Sequence, residues 1–236
     1  CPSCGSDVVK EFNKITKKHD AVQRCSSEGY KCEKIAIEKI KHFVSKDALN
    51  IEGLGKKVVE KFWDLKFIRL PNDIFNLDYN KIEKLEGWGE LSASNLKESI
   101  EKSKNIGLAK FIFSLGIRHI GQENAKILSE YFQTKEKFYE VSEKFNFNSL
   151  NNIDGIGETQ INSLKKFFSY QINLKVFNNL ISTMNINDDK QNNKGKLKNK
   201  TFVFTGKLKN ISRAEAKSLT EKNSGKIISN VTKKLN

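Results

Sequence analysis

The stretch IEGLGKK, residues 51–57, sets two glycines one residue apart, ahead of a segment (KVVEKFWDL) whose apolar residues fall at helical spacing. The chain has only 14 glycines in 236 residues, so so close a pair marks a demand of the backbone. The arrangement returns. LEGWG holds Gly87 and Gly89, IDGIG holds Gly155 and Gly157, and IRHIG offers His119 and Gly121, with histidine in the first glycine's place. Counted on the last glycine (Gly55, Gly89, Gly121, Gly157) the intervals are 34, 32 and 36 residues. A repeat this regular is architecture.

Each unit reads as helix, tight hairpin, helix. The helix after each pair carries an apolar stripe: Val58, Val59 and Phe62; Leu91, Leu96 and Ile100; Ala125, Leu128 and Phe132; Ile161, Leu164 and Phe168. The residue between the glycines (Leu54, Trp88, Ile120, Ile156) pins the turn to the core, and the glycines let the backbone approach something outside. Successive N–H groups in such a turn, with a helix N-terminus behind them, suit a phosphate oxygen. The unit resembles the helix-hairpin-helix motif, a sequence-independent binder of the DNA backbone. Lys56, Lys57 and Arg118 beside the hairpins fit phosphate contact, whereas the second and fourth hairpins are followed by Glu90 and Glu158. The competing reading is that the glycines serve helix capping alone.

All four cysteines lie in the first 32 residues: Cys1 and Cys4 as C-x2-C, then twenty residues, then Cys25 and Cys32 as C-x6-C. Four thiolates suit a closed tetrahedral zinc site, with the glycine after Cys4 relieving the first knuckle. Two disulfides or four free thiols are the alternatives. His19 and His42 are spare candidate ligands. Between the pairs, DVVKEFNKITKKHDAVQR alternates enough for a small hairpin, too small to hold itself by apolar burial; metal then supplies its folding free energy, and the role is structural.

Lys and Arg total 42 against 28 Asp and Glu, a net +14, which points to a polyanionic partner. No apolar run of about 18 residues exists, so a membrane span is not expected. Residues 186–199 (INDDKQNNKGKLKN) read as a flexible linker. TFVFTG then reads as a strand, the segment from Ser212 as a helix with a serine cap and a stop at Gly225, and KIISNV as a second strand: a β-α-β start whose stretch 195–236 holds eleven basic and two acidic residues. The chain opens at Cys1 inside a motif and its one methionine is Met184, so the numbering is expected to begin within a longer protein, and the last segment to be an incomplete domain.

Taken in order, a four-cysteine finger, KHFVSKDALNIEGLG, hairpins including SLGIRHIGQENAK, and FVFTGKL with SRAEAKSLTEKNSGKI resemble the C-terminal half of bacterial NAD-dependent DNA ligases over the whole chain. The resemblance implies a mainly α fold: a zinc-ribbon-like finger (1–34), a domain of four helix-hairpin-helix repeats (35–185), the linker (186–199) and a truncated BRCT-like segment (200–236). It implies structural zinc on Cys1, Cys4, Cys25 and Cys32. It also implies a monomer that grips nicked duplex DNA through Gly53, Gly55, Lys56, Lys57, Gly87, Gly89, Arg118, His119, Gly121, Gly155 and Gly157, in the bacterial cytoplasm at the nucleoid. NAD and magnesium would be bound by other domains of the full-length enzyme. The family's adenylated lysine sits in K-x-D-G; the nearest string here is NIDG, with Asn152 in the lysine position, so this chain by itself is expected to be inactive. The twenty-residue gap and Glu33 after Cys32 depart from the family pattern. A free-standing hairpin module of repair or recombination is the alternative, and it leaves the finger and the β-α-β tail unexplained.

Overall fold

A computed structural model describes residues 1–13, 17–188, 196–197, 200–205, 216, 219–220 and 223–227. The chain divides into two units, Cys1–Asp189 and Lys190–Asn236.

The first unit begins with a narrow antiparallel ribbon. Strand β1 (Val8–Val9) pairs with β4 (Arg24–Cys25), and β2 (Phe12–Asn13) with β3 (Lys18–His19). Val8, Val9, Phe12 and Val22 are all exposed, so the ribbon has almost no core of its own. Helix α1 (Glu33–Val44) follows at once, with Cys32 as its N-cap. The turn between Cys25 and Cys32 locks the ribbon to the helices. Gly29 sits at φ +58°, and a Cβ there would collide with Ile172 Cγ2, so a side chain is disfavoured on both counts.

Lys39 Nζ donates to the Gly29 carbonyl at 3.1 Å and lies 4.6 Å from the centre of the Tyr30 ring. Burial pushes this amine down to about 8. Among the described residues no carboxylate pairs with it. Lys39→Met is therefore expected to stabilise the unit at pH 7 by roughly 1–2 kcal/mol, after discounting for partial solvent access and the lost hydrogen bond. The sign follows from proton linkage: below about 8 both folded and unfolded chains carry the proton and the burial penalty is full, and it fades as pH rises towards the ordinary lysine value. Chemical denaturation of both proteins at pH 7 and pH 10 measures it; an advantage that does not shrink at the higher pH refutes the assignment.

The repeats follow. After Gly55, Gly89, Gly121 and Gly157 come α2 (Lys56–Asp64), α4 (Glu90–Ser103), α6 (Gln122–Phe132) and α8 (Glu158–Phe168), each with the glycine as N-cap. The elements before the hairpins are unequal: α1 and α5 (Leu108–Ser114) are proper helices, α3 (Tyr79–Ile82) is one turn, and Phe147–Asn152 is a 3-10 helix. Helices α7 (Lys135–Glu143) and α9 (Gln171–Thr183) complete the unit. Val59, Phe62, Leu96, Ile100, Ala125, Leu128, Phe132, Ile161, Leu164 and Phe168 are buried as their spacing predicts; Val58 is half-buried, and Leu91 is 75% exposed. Leu91 is the second residue of α4, where the face towards the core is already filled by Ala93 and Leu96. A cluster of Phe132, Phe138, Phe147, Phe168 and Phe177 closes the far end.

One correction concerns the segment after α9. Residues 186–187, expected as linker, lie in β6 (Asn185–Asn187), which pairs in parallel with β5 (Asn105–Gly107). Ile186 is buried opposite Ile106, and one isoleucine in a polar run carries no periodicity to announce a strand. In the second unit β7 (Thr201–Phe202) and β8 (Lys226–Ile227) are parallel, with residues 216 and 219–220 helical between them. Gly225 accepts no Cβ, which would fall 2.6 Å from Thr220 Cγ2 and 3.1 Å from Phe202. The serine cap at Ser212 and most of the linker lie outside the described residues.

Candidate nucleic-acid interface and metal centre

The four hairpins share one geometry. The N–H of Leu54, Trp88, Ile120 and Ile156 donates to the carbonyl three residues back (Ile51, Leu85, Ile117, Ile153), at 2.9–3.3 Å. The third turn position has positive φ in every case: Gly53 +84°, Gly87 +80°, His119 +59° and Gly155 +88°. A type II turn requires this conformation there, which is why glycine recurs. His119 adopts it at a cost of about 1–2 kcal/mol, offset by Nδ1 meeting Ser163 Oγ at 3.0 Å. Leu54, Ile120 and Ile156 are buried and Trp88 is half-buried against Phe62, so the turn is pinned in each repeat.

The second glycine is a different matter. Gly55 and Gly121 have φ −71° and −81°, which any residue adopts, and a Cβ would meet nothing within 4 Å at Gly55, Gly89 or Gly121. Serine or asparagine would cap these helices better than glycine. Nothing among the described residues asks for glycine there.

The hairpins then separate into two kinds. In the second, Ser92 Oγ accepts from Gly89 N at 2.9 Å; in the fourth, Gln160 Oε1 accepts from Gly157 N at 3.1 Å. The N-cap N–H of Gly55 and of Gly121 finds no acceptor among the described residues. The reason is visible three residues on, where the first and third helices have Val58 and Asn124; the Asn124 amide instead donates to the Gly155 carbonyl at 3.1 Å. Sequence reading missed Ser92 and Gln160, although a capping residue at that position is a recognisable signal.

The first hairpin is also electrostatically exceptional. Helix α2 opens with Lys56 and Lys57, both exposed, and has no acidic residue in its first turn, whereas α4, α6 and α8 have Glu90, Glu123 and Glu158. Two cations at the positive end of a helix are unfavourable unless an anion joins them. Consecutive hairpins are coupled: Glu52 N donates to Ser99 Oγ at 2.7 Å and Lys61 Nζ to the Glu86 carbonyl at 2.9 Å, while His119–Ser163 and Asn124–Gly155 link the third and fourth. The unit is thus a pair of hairpins repeated, with the open N-cap on the first member of each pair.

Arg118 is placed otherwise than its sequence suggests. Its Nη2 lies 2.5 Å from Glu11 Oε2 and 3.8 Å from Asp20 Oδ2, both on the ribbon, and His119 Nε2 lies 3.8 Å from Glu11. Neither acid was legible as a partner, being about a hundred residues away.

The ribbon brings the four cysteines together. Cys1 Sγ lies 3.9 Å from Cys32 Sγ and Cys4 Sγ 3.5 Å from Cys25 Sγ, with all four sulfurs within 4.8 Å of one another. A tetrahedron of thiolates around zinc has an edge of about 3.8 Å for metal–sulfur bonds of about 2.3 Å, so the cluster fits. No disulfide joins them. Gly5 turns the first knuckle at φ +73°. The Ser6 hydroxyl, then the Ser6 backbone, pulls the Cys4 thiol down to about 6. Cys32 is buried at the N-terminus of a twelve-residue helix. The cluster could hold a metal ion. The His19 ring packs tilted against Phe12, and His42 Nε2 meets the Phe113 carbonyl at 2.8 Å, so neither histidine belongs to it.

Comparisons agree with this layout. Residues 110–177 match the family model described as a helix-hairpin-helix motif. A curated DNA ligase of Pelagibacter ubique is 64% identical over all 236 residues, covering 35% of that protein. DNA ligases of Ehrlichia canis and Rickettsia bellii are 42% and 40% identical over 99% and 98% of the chain, again covering 35% and 34% of the relatives. The chain spans about a third of the length of the curated relatives it matches. Along essentially its whole length the chain is similar to DNA ligases, matching a segment about a third of such a protein long.

Proposed function

We propose that this chain is the DNA-gripping part of an NAD-dependent DNA ligase that seals nicks in duplex DNA in the bacterial cytoplasm. The observation that carries the reading is the first hairpin: an unbonded Gly55 N–H, open space beside it, and Lys56 and Lys57 at a helix N-terminus without an acid. A phosphate oxygen completes that site. The third hairpin offers the same open Gly121 N–H, while the second and fourth, capped by their own side chains, serve mainly packing. The finger of residues 1–34 holds structural zinc through Cys1, Cys4, Cys25 and Cys32, the repeats of 35–185 meet the DNA, and residues 200–236 belong to a BRCT-like segment. Nucleotidyl transfer, with its NAD and magnesium, belongs to other parts of the full-length enzyme.

Backbone recognition carries no base readout, so duplexes of unrelated sequence should bind within a factor of about two of one another. Affinity should fall with salt on a log-log slope of about −0.9 for each phosphate that a lysine or arginine neutralises. Fluorescence anisotropy with nicked duplexes between 50 and 200 mM salt measures both. Strong sequence preference, or no binding at 50 mM, refutes the reading.

A further inference from the structure

On that reading, the third hairpin has a feature that the first lacks. Its turn cation is not open to solvent partners alone. Arg118 is held by Glu11 at 2.5 Å and flanked by Asp20 at 3.8 Å, and Glu11 also lies 3.8 Å from His119. These two carboxylates flank the paired strands β2 and β3 on opposite arms of the ribbon, where Glu11 and Asp20 face each other through the Asp20 N to Glu11 carbonyl bond of 2.7 Å. Together they present oxygens to a guanidinium much as a phosphate would.

The ribbon earns little else from acidity at this spot. It has almost no core, and Asp20 has a second cation, Arg24, at 3.7 Å. The side chains of Glu11, Asp20 and Arg118 remain 37–40% exposed, so the contact sits where another anion can reach it. An ion pair this exposed is worth little, and an incoming polyanion can displace it.

We propose that Glu11 and Asp20 act as phosphate stand-ins, so that the finger and the DNA backbone compete for Arg118. The finger then sets the strength of the third hairpin. With the contact closed, Arg118 is neutralised and its hairpin offers only the neutral Gly121 N–H; with it open, the cation adds a phosphate contact. Because the finger folds around metal, this couples an otherwise structural element to how firmly the protein holds DNA.

The test is a cycle of variants on the zinc-loaded chain with a nicked duplex, each checked for zinc content and helical circular dichroism. Glu11→Gln with Asp20→Asn is expected to raise affinity about fivefold and to steepen the log-log salt slope by about 0.9, one added phosphate contact. Adding Arg118→Ala to that pair should abolish both gains, so that the arginine change costs about fivefold more there than in the parent. If it costs the same factor in both, the two acids act by diffuse repulsion and the competition is overturned. The parent gives a second readout that needs no variant: saturating duplex should shift the carboxylate carbon signals of Glu11 and Asp20, and unmoved signals equally overturn the proposal. A parent that fails to bind duplex at all brings down the DNA-gripping reading itself, and this inference with it.

Discussion

Stripping the metal with a strong chelator is expected to melt residues 1–31 while leaving α4 to α9 folded. Structural zinc on thiolates contributes on the order of 10 kcal/mol of apparent binding free energy, and in a unit without a core that is folding free energy. The ribbon is such a unit. Its ladders are two residues long, its valines and Phe12 face solvent, and its contacts with the helices among the described residues include the Gly29 turn, the Lys39 contacts with Gly29 and Tyr30, and the Arg118 and His119 contacts with Glu11. None of these replaces four metal–sulfur bonds. Cys25→Ser should act likewise, because three thiolates leave a coordination position to solvent. Metal analysis of the parent should give one zinc per chain, and amide exchange in the ribbon should go from protected to open-chain rates on chelation. If ribbon amides keep their protection without metal, or if Cys25→Ser retains a full equivalent of zinc, the finger is held by something else.

The glycines explain why so much of the fold was legible and where legibility stopped. A left-handed third turn position, a pinned apolar residue and an N-cap are all local requirements, and local requirements print themselves on a sequence at fixed offsets. Hence the starts of α2, α4, α6 and α8 could be read directly, as could the knuckle glycine Gly5 and the gathering of four cysteines. The elements leading into the hairpins were not legible, because helix, single turn and 3-10 segment can all deliver a chain to the same turn once its apolar residues are buried. The β5–β6 pair joins residues eighty apart through one buried isoleucine on each side. Arg118 reads from the sequence as a phosphate contact because charge is local in sequence and ion pairing is not: Glu11 and Asp20 become its partners only when the finger folds back on the third hairpin. The distinction between open and self-capped hairpins was present in the letters, as Ser92 and Gln160 against Val58 and Asn124, but it acquires meaning only once the glycine before each is known to be the N-cap.

That distinction leads to the sharpest expectation for DNA binding. Gly55→Val and Gly121→Val should each weaken duplex binding at least tenfold, about 1.4 kcal/mol, while leaving the salt slope nearly unchanged. A Cβ at either site meets no atom of the described residues within 4 Å and the backbone keeps an ordinary φ, so the cost to folding is expected to be that of a poorer N-cap, roughly 0.5–1 kcal/mol. What the side chain occupies is the space through which a phosphate would approach the N–H. The slope stays because a neutral donor releases no counterion. Lys56→Ala should do the reverse, flattening the slope by about 0.9 with a smaller loss of affinity at high salt. Gly89→Val is the internal control: its Cβ also enters open space, but its N–H is already taken by Ser92, so binding should change by less than about twofold. Circular dichroism and thermal midpoints on all four variants separate misfolding from lost contact. If folded Gly55→Val and Gly121→Val proteins hold nicked duplex as tightly as the parent, the open N-caps are no phosphate sites. If Gly89→Val weakens binding as much as they do, the division into open and self-capped hairpins has no part in gripping DNA.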